Sequence, residues 1–177
     1  HLSLRRQRQM CIRDRFLPNY NVSLAESIIP AADLSEQIST AGFEASGTSN
    51  MKFGLNGALT IGTLDGANVE MCEQVGAEHM FIFGLSAQQV EARKRNGEFS
   101  AVPDIAASHR LNDVLQAIRG GVFSPDDPSR YTALIDSLID YDRFLVCADF
   151  DAYWNAQARV EERWHDSKEW WLSLIHI

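Results

Sequence analysis

The chain has 177 residues, 45% of them hydrophobic and 23% charged, which suits a soluble globular protein with one cored domain, or one and a piece. No apolar run reaches the length of a membrane-spanning helix, and a formal charge of −8 argues against nucleic acid as a partner. Residues 1–15 hold five Arg and one Asp, so the remainder carries a net of −12. Cys11, Cys72 and Cys147 have neither metal-ligand spacing nor an even disulfide framework, which fits a reducing cytoplasm. The five scattered His build no zinc motif, and no metal is expected.

In chain order, residues 1–15 are basic and lack the hydrophobic pattern of the residues after them. They are no signal peptide, since no apolar core or cleavage site comes after the basic part. Arg5 to Arg15 and the closing L-S-L-I-H-I resemble translated sequencing-adapter read-through. Both ends (1–15 and 172–177) are expected to be foreign to a body at 16–171. Phe16–Tyr20 reads as a strand and Val22–Ala31 as a helix stopped near Pro30. Asp33–Ser39 is a weak strand or loop. Ala58–Thr63 is a buried strand or a continuing helix. Asp65-Gly66 makes a turn, Ala67–Val75 a helix, and Met80–Phe83 a strand ended by Gly84. Ser86 opens a helix through Arg95, stopped by Asn96-Gly97. Strand–helix alternation favours a parallel α/β sheet. After Ser100 the pattern is helical: Arg110–Arg119, a helix after Asp126–Ser129, and a long one over Asp151–Trp164 with Trp154, Ala158 and Val160 inward.

The chemistry concentrates in Glu44–Gly62, E-A-S-G-T-S-N-M-K-F-G-L-N-G-A-L-T-I-G. Ser46, Gly47, Thr48, Ser49 and Asn50 are cap-forming, so a helix is expected to start near Gly47 or Thr48, with Lys52 one turn in. A helix start offers free N–H groups to an anion. An anion site followed by an amine can hold a phosphorylated aldehyde, and pyridoxal phosphate needs that pair, with Lys for the imine. Desolvation in the apolar segment would lower the Lys52 pKa. By spacing alone, Lys52 also reads as a surface Lys, and the cap residues as a plain N-cap.

Glu44–Glu70, together with N-Y-N-V-S-L-A-E and I-P-A-A-D-L-S-E-Q-I-S-T-A-G upstream, resembles the cofactor segment of the α-glucan (glycogen, starch, maltodextrin) phosphorylases. The resemblance continues more weakly through D-R-F-L-V-C-A-D-F-D-A-Y to about Trp171. It implies α/β architecture, part of a Rossmann-like (GT-B type) C-terminal domain followed by a helical layer. It also implies pyridoxal 5'-phosphate as cofactor, and α-glucan and inorganic phosphate as substrates, giving glucose 1-phosphate in a cytoplasmic enzyme whose full-length members are homodimers.

Carried over residue by residue, the resemblance makes Lys52 the imine-forming residue and gives Gly47, Thr48 and Ser49 to the cofactor phosphate. It sets Tyr20 against the pyridine ring. It makes Glu44 catalytic as well as substrate-binding, with Ala45, Ser46 and Gly47 also contacting glucosyl hydroxyls. A carboxylate suits that task because it accepts two hydroxyl bonds. Two positions depart from the family pattern. Ser49 stands where many relatives have Gly, which is compatible unless the backbone needs positive φ. Phe43 stands where a polar residue is expected, which puts the local loop packing in question. Asp65-Gly66-Ala67-Asn68 is read as a strand-to-helix turn without a site role. Two other readings remain open, a pyridoxal phosphate enzyme using Lys52 as a transaminase-type base, and a sugar-nucleotide transferase or binding module without that cofactor. The 177 residues alone are expected to be inactive, because family chains are several times longer.

Overall fold

The computed structural model describes residues 16–166; the two terminal segments expected to be foreign lie outside them. Helix α1 (Val22–Ile28) is capped by Asn21, whose Oδ1 accepts the Leu24 N–H, and runs into a 3₁₀ turn at Ile29–Ala31 that contains Pro30. Next come β1 (Leu34–Gln37), α2 (Ser49–Leu55), β2 (Leu59–Gly62), α3 (Ala67–Val75) and β3 (Phe81–Ile82). The strands form a parallel sheet in the order β1-β2-β3, with Gln37 opposite Gly62 and Gly62 opposite Ile82. Their C-terminal ends therefore line up along one edge.

All four residues of β2 are buried. That is the signature of a strand covered on both faces. Leu59 and Ile61 face one way, with Phe81 of β3, and meet Ala156, Val160 and Tyr153. Burying a side chain such as Ile61 contributes roughly 1.5–3 kcal/mol. Gly62 faces the other way, and a β-carbon there would lie 2.7 Å from Asn68 Nδ2 on α3 and 2.6 Å from the Gln37 carbonyl oxygen. Only Gly allows that close approach.

The helical layer comprises α4 (Ala87–Arg95), α5 (Val102–Ala107), α6 (His109–Arg119), α7 (Thr132–Asp140) and α8 (Val146–Asp166). Ser86 opens α4 with a reciprocal capping box to Gln89, and Ser108 opens α6 by accepting the Leu111 N–H. A second core joins Ala101, Leu111, Leu115, Ile135 and Cys147. Helix α8 thus enters both cores, through Cys147 at its start and through Ala156 and Val160 further on. Asp142 holds the start of α8 by accepting the N–H groups of Val146 (2.9 Å) and Cys147 (2.7 Å). Burial, aided by the Asp142 charge, pushes the Cys147 thiol up to about 12, so it is a packing residue and a poor nucleophile.

Two expectations are corrected. Phe16–Tyr20 forms a turn and no strand, with Asn19 at φ 51°. The run has the composition of a strand, but a strand also needs a ladder to join, and the left-handed Asn19 breaks the extension. In α8 the inward residues are Tyr153, Ala156 and Val160, while Trp154 and Ala158 are exposed. Positions 153, 156 and 160 follow helical spacing, whereas 154, 158 and 160 straddle two faces. Trp154 lies under the Arg110 guanidinium, 4.6 Å from its ring centre.

Asp149 on α8 reaches the loop after β3, where its Oδ1 accepts the Leu85 N–H at 2.8 Å. Desolvation raises its pKa, opposed by that N–H and by Arg93, and reinforced by Asp142 and Asp104. A raised carboxyl pKa means that protonation favours the folded state. This contribution is complete below the ordinary carboxyl value and is lost as pH rises through the raised one. Asp149→Asn keeps the acceptor and removes the buried charge. Its unfolding free energy, measured in urea, should therefore gain on the parent chain as pH rises from 4 to 7; a gap independent of pH would contradict this.

Candidate active site

Three loops leave the aligned strand ends: residues 38–48 after β1, 63–66 after β2 and 83–86 after β3. In open parallel sheets this edge is where ligands bind. The first loop carries Glu44–Thr48 and is held from two sides. On one side Ala41 is buried with Val90 of α4 and Leu145. On the other stands Asp65, itself buried. Its Oδ1 accepts the Gly42 N–H (2.8 Å), and its Oδ2 accepts the Glu44 N–H (2.8 Å) and the Ser39 hydroxyl (3.1 Å). Between those anchors Phe43 turns outward, its ring 5.8 Å from that of Phe144 and beneath the Lys94 ammonium at 3.8 Å. The unexpected aromatic thus has its own packing partners and leaves the Glu44 backbone in place.

The Glu44 side chain lies over the next residues. A β-carbon at Gly47 would sit 3.6 Å from Glu44 Oε1. Gly47 has φ 75° and Gly66 φ 52°. At Gly66 a β-carbon would lie 2.5 Å from the Ser46 carbonyl oxygen, the same oxygen that accepts the Ala67 N–H at 2.8 Å. The two loops therefore meet backbone to backbone.

Helix α2 begins at Ser49 after the N-cap Thr48, whose side chain makes no capping hydrogen bond. The first N–H groups of a helix have no main-chain acceptor within it; the Met51 N–H donates to Asn50 Oδ1 at 2.8 Å, and among the described residues those of Ser49 and Asn50 remain as donors. Ser49 has no positive φ, which meets the condition for Ser at that position, and its hydroxyl donates to Gln37 Oε1 at 3.0 Å. The helix is fixed from beneath by a buried amide thread. Asn50 Nδ2 donates to Asn68 Oδ1 (2.8 Å), and Asn68 Nδ2 donates to the Thr63 carbonyl (3.0 Å). Lys52 lies one turn from the cap, as expected.

The expected enclosure of Lys52 is not found. Lys52 is exposed, and so are its apolar neighbours Met51 and Leu55, the latter 88% exposed. The buried member of this seven-residue helix is Asn50, while Met51 and Leu55 face solvent and Phe53 is half-buried. Among the described residues Lys52 has no ion-pair partner.

Glu44, Ala45, Ser46, Gly47, Thr48 and Ser49 thus form one continuous rim, with Lys52 a turn beyond. Tyr20 is 58% exposed, and no described hydrogen bond or ring contact joins it to the rim. Among the described residues, what is present fits a phosphorylated aldehyde: a primary amine without an ion-pair partner, and a helix start at which the Thr48 hydroxyl makes no capping hydrogen bond. Glu44 stands beside those donors with hydroxyl-accepting oxygens. No group of His, Cys, Asp and Glu suited to a metal occurs among the described residues.

Sequence reasoning took Asp65 and Asn68 for parts of a turn, yet their side chains hold both halves of the rim. The available signal was a carboxylate and an amide following a mostly apolar strand, where polar groups must find partners.

Residues 6–177 match the carbohydrate phosphorylase family. The chain is 54% identical over 160 residues to the brain form of glycogen phosphorylase from Bos taurus, covering 90% of this chain. It is 53% identical over 155 residues to glycogen phosphorylase from Pasteurella multocida, and 50% identical over 164 residues to the muscle form from Mus musculus. It spans 19% of the length of each of these relatives.

The meeting of the two loops yields a test. Gly66→Ala introduces a β-carbon into the Ser46 carbonyl at a φ that L residues avoid, so a loss of at least about 2 kcal/mol is expected. Gly97→Ala is the control, since Gly97 also has positive φ but nothing within 4 Å; it should cost about 1 kcal/mol. Equal losses in urea unfolding would show that the loop contact contributes nothing.

Proposed function

The chain belongs to the carbohydrate phosphorylase family, and on that premise we propose that it is the segment that holds the cofactor and a glucosyl unit in an α-glucan phosphorylase. The reaction is phosphorolysis of terminal α-1,4-glucosyl units to glucose 1-phosphate, with inorganic phosphate as the second substrate. The observation that carries this reading is the uncapped start of α2 with Lys52 one turn beyond it and Glu44 alongside. In this reading the three strands are part of a larger Rossmann-like, GT-B type domain. The whole enzyme is a cytoplasmic homodimer; no described helix is long and apolar enough to cross a membrane.

Pyridoxal 5'-phosphate is the cofactor that suits these donors. Lys52 would attach its aldehyde, and the Gly47, Thr48 and Ser49 main chain would hold its phosphate, with Tyr20 against its ring. When bound, it would supply a phosphate that gives and takes a proton beside the substrate phosphate. The residues of this chain would bind and orient. Glu44 would accept hydrogen bonds from glucosyl hydroxyls, and the Ala45, Ser46 and Gly47 backbone would help to orient the same sugar. Glu44 also adds negative charge near a centre that becomes oxocarbenium-like. Orientation of this kind supplies much of an enzyme's rate.

The test starts with the purified chain, pyridoxal phosphate and borohydride. Peptide mass spectrometry should find the pyridoxyl adduct on Lys52; an adduct elsewhere, or none, overturns the cofactor assignment. In the same samples Thr48→Ala should cost less than the ~1 kcal/mol typical of a lost N-cap, because its hydroxyl caps nothing. The 177 residues by themselves should release no glucose 1-phosphate from maltodextrin and phosphate, since Lys52 lies open to water. Turnover near that of a full-length relative would refute this.

A further inference from the structure

Each residue from Asp65 to Asn68, where the loop after β2 enters α3, touches the segment that carries the rim. Asp65 binds Ser39, Gly42 and Glu44; Gly66 backs onto Ser46; Ala67 donates to Ser46; Asn68 binds Asn50. We propose that Asp65 is the positioning residue of the sugar site: its buried carboxylate fixes the main chain on both sides of Phe43 and so aims the Glu44 carboxylate at the glucosyl hydroxyls. This rests on the reading of Glu44 as the sugar-binding residue.

The chemistry of the side chain supports a positioning task. Asp65 is buried and has no ion-pair partner among the described residues. A buried carboxylate without a cation is a poor choice for stability alone. What it supplies, and Asn cannot, is two acceptor oxygens and no donor. Three donors converge on those oxygens, two of them main-chain N–H groups two residues apart. With Gly42 and Glu44 both held, Phe43 is directed to Phe144, and Glu44 is directed into the gap between Gly47 and Gly66, where its Cγ lies 2.9 Å from the β-carbon position of Gly66. In Asp65→Asn one amide N–H₂ would face either the Gly42 N–H or the Glu44 N–H, donor against donor, and one anchor would be lost.

The first measurement is amide hydrogen exchange on the 177-residue chain. Asp65→Asn should speed exchange over residues 39–48 by about tenfold or more, with α6 and α7 unchanged. Unchanged exchange at 39–48 overturns the proposal. Should Asp65→Asn fail to fold, Ser39→Ala removes one donor only and should give a smaller acceleration in the same place; none would again overturn it. The second measurement uses a full-length phosphorylase carrying this segment. Asp65→Asn and Glu44→Gln should each raise KM for glucan, and the double variant should be no worse than the worse single one, because Asp65 acts through Glu44. Additive effects would make Asp65 a merely structural residue and overturn the proposal. A Glu44→Gln variant with unchanged KM, alongside faster exchange in Asp65→Asn, overturns the sugar-binding reading of Glu44 itself.

Discussion

The Asp65 carboxylate is the interaction on which the site depends. It stands just past the end of a strand buried on both faces, and it gathers Ser39, Gly42 and Glu44. Hydrogen bonds to a charged acceptor are worth about 1.5–3 kcal/mol each, while taking a carboxylate out of water costs several kcal/mol. The two effects oppose each other, and what the arrangement supplies is geometry. The neighbouring contacts are possible only while that geometry holds, because the Ser46 carbonyl fits against Gly66 with no room for a side chain.

A second dependency runs through α8. Among the described residues it is the one element of both the sheet core and the helical core, and it also sends Asp149 to the loop after β3. Its start is defined by Asp142, whose two oxygens each take a main-chain N–H. An ion pair, Arg93 with Asp104 at 2.8 and 2.9 Å, ties α4 to α5 in two-pronged geometry. The helical layer is thereby connected to the strand ends by acidic side chains that accept from backbone or Arg. The Glu36 carboxylate, receiving the Tyr153 hydroxyl at 2.8 Å, links β1 to the same helix.

The rim presents two kinds of polar group. The loop–helix junction offers main-chain donors, which do not discriminate among anions beyond shape and charge. Glu44 offers acceptors, which select for hydroxyl-bearing ligands. The amide thread of Asn50 and Asn68 sets the first group and Asp65 sets the second, and both come from the same four-residue turn. A displacement of that turn would move the two together.

The sequence by itself determined the family resemblance and most of the element order. Cap residues, a lone Lys after them and strand–helix alternation are local signals, because capping and period act over a few residues. Ala67–Val75 and the Ser86-capped helix were legible to the residue for that reason. Tertiary structure decided the rest. Phe16–Tyr20 has strand composition but no ladder, and pairing cannot be read from one segment. The inward face of α8 was set by Leu59, Ile61 and Phe81, which arrive from far along the chain. Apolar neighbours left both a desolvated and a surface Lys52 open, and the fold gives the exposed one, as α2 turns Met51 and Leu55 to solvent and buries Asn50 instead. Asp65 and Asn68 could be flagged as polar groups that need partners, but which partners could not be read, since those in the rim segment lie between 18 and 26 residues upstream. A hydrogen bond between such distant residues exists only once the parallel strands have brought their C-terminal ends to one edge.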